Sequence, residues 1–145
     1  VRKGKGVFKL KRNLKAPLSF FVAKHMAQKG KEISVEICLK KLLPEFAKKD
    51  AAYLICDYYT GEYYADVAAE DVIRMKPVAP HGAGIYKVVK ISEKPQVVTS
   101  TGHYSMGGEF ERLEWDEGNL YYKVTNQFDI TIKYQIWLPN RTCNL

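Results

Sequence analysis

The side chains in this chain that could do covalent or metal chemistry are few and scattered: Cys38, Cys56 and Cys143, with His25, His81 and His103. A cysteine becomes a nucleophile only as its thiolate, which a helix start, a nearby cation or an imidazole stabilises. Cys38 fits best, since it precedes a possible helix and is followed by Lys40 and Lys41. His103, in the stretch TGHYSMGGEFERLEW (101–115), would be the base. Asp116 or Asp129 could orient it. A dyad of this kind would make the chain a small cysteine hydrolase.

Gly102-His103-Tyr104 after a strand resembles the histidine box of papain-like and ubiquitin-specific cysteine proteases. The resemblance covers three residues and a following pair of aromatic strands. It implies a base on a strand near the C-terminus, with the cysteine earlier in the chain. Cys38 lacks the neighbouring Gly, Asn or Gln and Trp that those families place around the nucleophile. A structural cysteine and a turn histidine therefore fit the residues better. No catalytic residue is assigned, and binding is a better reading than catalysis.

No Cys-x-x-Cys or His-x-x-x-His pair offers a chelating spacing, so no metal site is expected. His25 reads as a satisfied core or boundary histidine. The carboxylates Glu109 and Glu111 share a strand face beside Arg112, the pattern of an ion-paired solvent face. His81-Gly82-Ala83-Gly84 lacks the lysine and the strand-to-helix setting of a phosphate loop. No cofactor is called for.

Charge is more informative. The net charge of +7 is confined to residues 1–15, VRKGKGVFKLKRNLK, where Arg2, Lys3, Lys5, Lys9, Lys11, Arg12 and Lys15 meet no acid. The remaining 130 residues hold equal numbers of basic and acidic groups. Such a block concentrates positive potential and favours polyanions. Ten tyrosines, six phenylalanines and two tryptophans accompany it. Tyr59, Tyr63 and Trp137 are expected to face outward, where aromatic rings can stack unpaired bases. In each adjacent tyrosine pair on a strand, one ring should face the core and the other solvent.

These residues need elements to hold them. GVFKLKR (6–12) alternates as a half-buried strand with a basic outer face. LSFFVAKHMAQK (18–29) places Leu18, Phe21, Val22, His25 and Met26 at helical spacing, with Gly30 as a stop. Residues 32–37 alternate as a strand, and 38–49 read as helical with a kink at Pro44. Strands follow at 51–59 and 62–67, one or two helical turns at 69–75, and a loop at 76–84. From residue 84 the reading is strands: 84–92, 96–100, 108–115, 119–125 and 128–139, with a hairpin turn at 116–119. In the last strand Trp137 falls on the side opposite Ile130, Ile132, Tyr134, Ile136 and Leu138.

The expected fold is therefore α+β. An antiparallel sheet of five or more strands, mainly residues 84–139, would carry two helices from the first third on one face. Residues 1–15 would form a basic arm and first strand, and 16–145 a single domain. No apolar run reaches the roughly 20 residues of a membrane helix. Three cysteines without a paired spacing point to free thiols in a reducing, intracellular compartment. Because it opens on Val1, the chain is expected to be a fragment, a processed product or a trimmed form.

The function expected is a nucleic-acid-binding module, for RNA or single-stranded DNA, with weak sequence selectivity. Its contacts would be Arg2, Lys3, Lys5, Lys9, Lys11, Arg12, Lys15, Tyr59, Tyr63 and Trp137. The alternative partner is an acidic protein or another subunit, met by the basic third of a structural domain.

Overall fold

The computed structural model describes residues 6–9, 18–26, 29–102, 107–125 and 131–138. The first compact unit, residues 1–90, contains strands β1 (Gly6–Lys9), β2 (Leu18–Lys24) and β3 (Glu36–Cys38), then the single-turn helix α1 (Leu39–Leu42). Strands β4 (Ala52–Asp57), β5 (Tyr63–Ala68), β6 (Val72–Arg74) and β7 (Ala83–Lys90) complete it. The second unit, residues 91–145, contains β8 (Gln96–Ser100), β9 (Phe110–Asp116), β10 (Asn119–Val124) and β11 (Tyr134–Trp137).

The α+β expectation is overturned. Strands make up 51% of the structure and helix 4%, so no pair of helices packs on a sheet among the described residues. The five-stranded antiparallel sheet is real but lies elsewhere, in the order β1-β2-β7-β4-β5. Only β7 comes from residues 84–139. The rest of that region forms the two-stranded ribbons β8–β11 and β9–β10.

The segment 18–24 shows why the helical reading failed. As β2 it pairs with β1 on one side and β7 on the other. Phe20, Phe21 and Ala23 are all buried, so both faces of the strand are covered. A strand buried on both faces is apolar at successive positions, and a helical spacing can be picked out of such a run by chance. The aromatic and β-branched residues Phe20, Phe21 and Val22 favour the strand.

Helix α1 ends after one turn. Leu43 accepts the position before Pro44 with φ −128° and ψ 62°, because a following proline disfavours helical backbone. Residues 72–74, read as helical, instead pair with β3 in the register Glu36↔Arg74, Ile37↔Ile73, Cys38↔Val72.

The core of the first unit forms between one face of the large sheet and the β3–α1–β6 layer. Phe21, Ala23, Tyr53, Ile55, Val67, Tyr86 and Val88 meet Val35, Ile37, Leu39, Leu43, Met75 and Val78. Burying side chains of this size stabilises the fold by about 1.5–3 kcal/mol each. Tyr53 is fully buried with its hydroxyl satisfied, accepting from the Lys48 amide at 2.7 Å and donating to the Phe46 carbonyl at 3.3 Å. On the opposite face Phe20, Leu54, Cys56, Lys87 and Val89 are also buried.

In the second unit the turn between β9 and β10 places Glu117 and Gly118 at φ 47° and 82°, the paired positive values of a tight hairpin. Asn119 begins the next strand instead of taking a turn position. Ser100 at the end of β8 donates from Oγ to Oε1 of the buried Glu109. Phe110 of β9 packs edge-on against Tyr134 of β11, with ring centroids 5.1 Å apart.

Candidate functional site

The exposed tyrosines Tyr59 and Tyr63 are set at one end of the large sheet by a turn built on Asp57. Its Oδ1 accepts hydrogen bonds from the amides of Tyr59 (2.9 Å) and Thr60 (3.2 Å). The backbone closes around it, since the Asp57 amide donates to the Glu62 carbonyl and the Gly61 amide donates to the Asp57 carbonyl. Gly61 takes φ 72°, which glycine adopts without steric cost. The Tyr58 amide donates to the Ile85 carbonyl at 2.8 Å and ties the turn to β7. Tyr58 and Tyr59 meet edge to face with centroids 5.5 Å apart. Tyr59 is 66% exposed and Tyr63 50%. This is the solvent-facing geometry the sequence suggested for these two.

The strand ends beside this turn follow from the register. Gly6 of β1 is opposite Lys24 of β2, and Lys24 is opposite Ala83 of β7. Asp57 of β4 is opposite Tyr86 of β7, and Cys56 is opposite Tyr63 of β5. The start of β1 and the tyrosine turn therefore lie at the same end of the sheet. The segment following β2 closes there too. The His25 amide donates to the Gly82 carbonyl at 3.0 Å, and the ring N–H at Nε2 donates to the Lys31 carbonyl at 3.1 Å. Lys24, Lys29 and Lys31 are exposed.

Two ionisable groups at this end are shifted. Burial pushes the Tyr86 phenol up to about 12, with the charges of Asp57 and Tyr64 adding to it. The Glu62 carboxylate hydrogen-bonds Lys76 and holds its ammonium above the ordinary lysine value.

The other anticipated residues divide. Arg2, Lys3, Lys5, Lys11, Arg12 and Lys15 lie outside the described residues, and Lys9 is described only as the last residue of β1, opposite Phe21. In the sequence, Arg2, Lys3 and Lys5 precede Gly6, whereas Lys11, Arg12 and Lys15 fall between Lys9 and Leu18. Trp137 departs from its expected outward position. It is half-buried, and its Nε1 is enclosed with no hydrogen-bond acceptor among the described residues; the pairing of β11 with β8 shifts register between Gln135 and Ile136, with Val98 of β8 the extra residue. Tyr121 and Tyr122 are both exposed, at 44% and 51%, so the one-in, one-out expectation fails on β10.

Cys38 is half-buried, and its thiol donates to the Ala69 carbonyl at 3.4 Å. It borders an open concavity of 410 Å³ with Glu36, Ile37, Lys41, Leu42 and Val72. His103 lies outside the described residues. Cys56 is fully buried, and loss of solvation pushes its thiol up to about 12 against the opposing charge of Lys87. Among the described residues no cluster of three or more His, Cys, Asp or Glu is placed to hold a metal ion, and no helix is long and apolar enough to cross a membrane.

Sequence reading missed Lys24, Lys29 and Lys31 as members of this end, because it placed the first two inside a helix. It also missed Asp57, although the run Asp57-Tyr-Tyr-Thr-Gly61 carries the acid-to-glycine signature of a side-chain-capped turn. No protein-family model matches the chain, and no curated protein sequence matches it.

Proposed function

We propose that this chain is a nucleic-acid-binding module that takes RNA or single-stranded DNA with weak sequence selectivity. One observation carries the reading. Gly6, to which the cationic segment with Arg2, Lys3 and Lys5 is joined, stands at the same end of the sheet as the Tyr58–Tyr63 turn. Five extended residues reach at most about 17 Å. From β1 to β5 is four strand spacings, about 19 Å in all. The full length of that segment is therefore comparable to the width of the sheet end.

The two features supply the two terms of single-strand affinity. Lysine and arginine displace condensed counterions from phosphates. Exposed aromatic rings stack unpaired bases for about 1–3 kcal/mol per base, whatever the base.

Fluorescence anisotropy of short oligonucleotides at several salt concentrations tests this. Deleting residues 1–5 should flatten the log–log salt slope by up to about two units, at about 0.7 per phosphate contact on single strands. Tyr59→Ala combined with Tyr63→Ala should weaken binding by about 1–3 kcal/mol per stacked base lost, with the slope retained. Equal affinity and slope in the parent and both variants would refute the proposal.

A further inference from the structure

Described cations also stand at this end of the sheet. Residues 16–31 contain Lys24, Lys29 and Lys31 and no acid. All three are exposed and make no ion pair among the described residues. Three other exposed cations of the same unit are held by glutamates, Lys40 by Glu70, Arg74 by Glu36 and Lys76 by Glu62; Lys41, Lys48 and Lys49 are exposed without an ion pair among the described residues, away from this end of the sheet. The backbone also fixes where the three lysines lie. Lys24 is in register with Gly6 and Ala83, and the two His25 hydrogen bonds fasten the following segment to Gly82 and Lys31. Gly30 turns the chain with φ 127°, a conformation that a side chain would strain.

Acids near the tyrosines are already engaged. Asp57 accepts the turn amides, and Glu62 is paired with Lys76. A ligand crossing this end would thus meet unpaired positive charge beside β1 and β2, and aromatic rings beside β4 and β5.

We propose that Lys24, Lys29 and Lys31 form the phosphate track of the site, while Tyr59 and Tyr63 take bases, so that a single strand lies across the strand ends from β1 to β5. This rests on the nucleic-acid reading above. The width of about 19 Å limits the contact to about six phosphates at 3.4 Å per nucleotide of a stacked strand. A six-nucleotide strand therefore fills the site.

The test uses a fluorescein-labelled six-nucleotide DNA strand and the whole chain. The triple variant Lys24→Gln, Lys29→Gln, Lys31→Gln should flatten the salt slope by about two units. Affinity should fall roughly 50-fold at 0.15 M salt, from about 0.7 counterions per contact referred to 1 M. The comparison variant Lys48→Gln, Lys49→Gln removes charge before β4, at the other end of the sheet, and should bind within about twofold of the parent. Urea unfolding shows that both variants keep the fold. If the parent binds and the triple variant matches it in affinity and slope, the track is wrong and the nucleic-acid reading stands. Equal weakening by both variants would also overturn the track, because net charge would then be the cause. Should the parent bind no oligonucleotide, both readings fall.

Discussion

Replacing Asp57 with alanine removes the acceptor on which the tyrosine turn is built. Asp57 is only 8% exposed, and its Oδ1 takes two amide hydrogens, from Tyr59 and Thr60. A hydrogen bond to a charged group contributes about 1.5–3 kcal/mol when its partner stays dry. Here the freed amides belong to exposed residues that water can reach, which places each bond near or below the lower limit. The expected loss is about 2 kcal/mol, at the upper end of what removing a helix N-cap costs. With a denaturant slope of about 2 kcal/mol per molar in urea, the midpoint should fall by about 1 M. Asp57→Asn keeps an acceptor oxygen in the same place and should lose less than half as much. Urea titrations followed by tyrosine fluorescence and far-UV circular dichroism measure both. An unchanged midpoint in Asp57→Ala would refute the structural role given to the carboxylate. Equal losses in the alanine and asparagine variants would show that charge, and not the turn geometry, matters. The alanine variant should also bind single strands more weakly, because Tyr59 must then be ordered at the moment of binding.

Alkali should destabilise the protein in a defined window. Cys56 and Tyr86 both titrate near 12 in the folded chain, against ordinary values of 9.0 and 10.0. The unfolded chain loses these protons first, so the stability they contribute is complete below about pH 9 and drains away as pH rises toward 12. Urea midpoints that stay level from pH 8 to 11 would contradict this, and Cys56→Ala should make the decline shallower. Gly84 is a packing test. A Cβ there would come within 2.8 Å of the Tyr86 ring, which is stacked on Phe21 at 5.0 Å. Gly84→Ala should cost about 1–3 kcal/mol in thermal or urea unfolding, and a neutral result would mean that Tyr86 moves freely.

The sequence by itself determined the features that depend on neighbouring residues. Alternation and turn chemistry marked out 51–59, 62–67, 84–92, 96–100 and 119–125, and strands stand within each of these segments, with some ends displaced. Exposure of Tyr59 and Tyr63 was legible because a turn at Thr60-Gly61 must lie at the surface. The polarised charge was plain from composition. Tertiary structure decided what local pattern left open. Leu18–Lys24 became a strand because it has partners on both sides and buried residues on both faces, and no spacing within those seven residues records that. Trp137 is half-buried where it pairs with Gln96 of β8, a partner far away in the chain that alternation along its own strand does not record. The basic block looked continuous along the chain, yet β1 stands within it, with Gly6 opposite Lys24 and Lys9 opposite Phe21. Charge is a property of the sequence, but which charges stand together is set by strand pairing, and pairing is fixed by contacts between residues far apart in the chain.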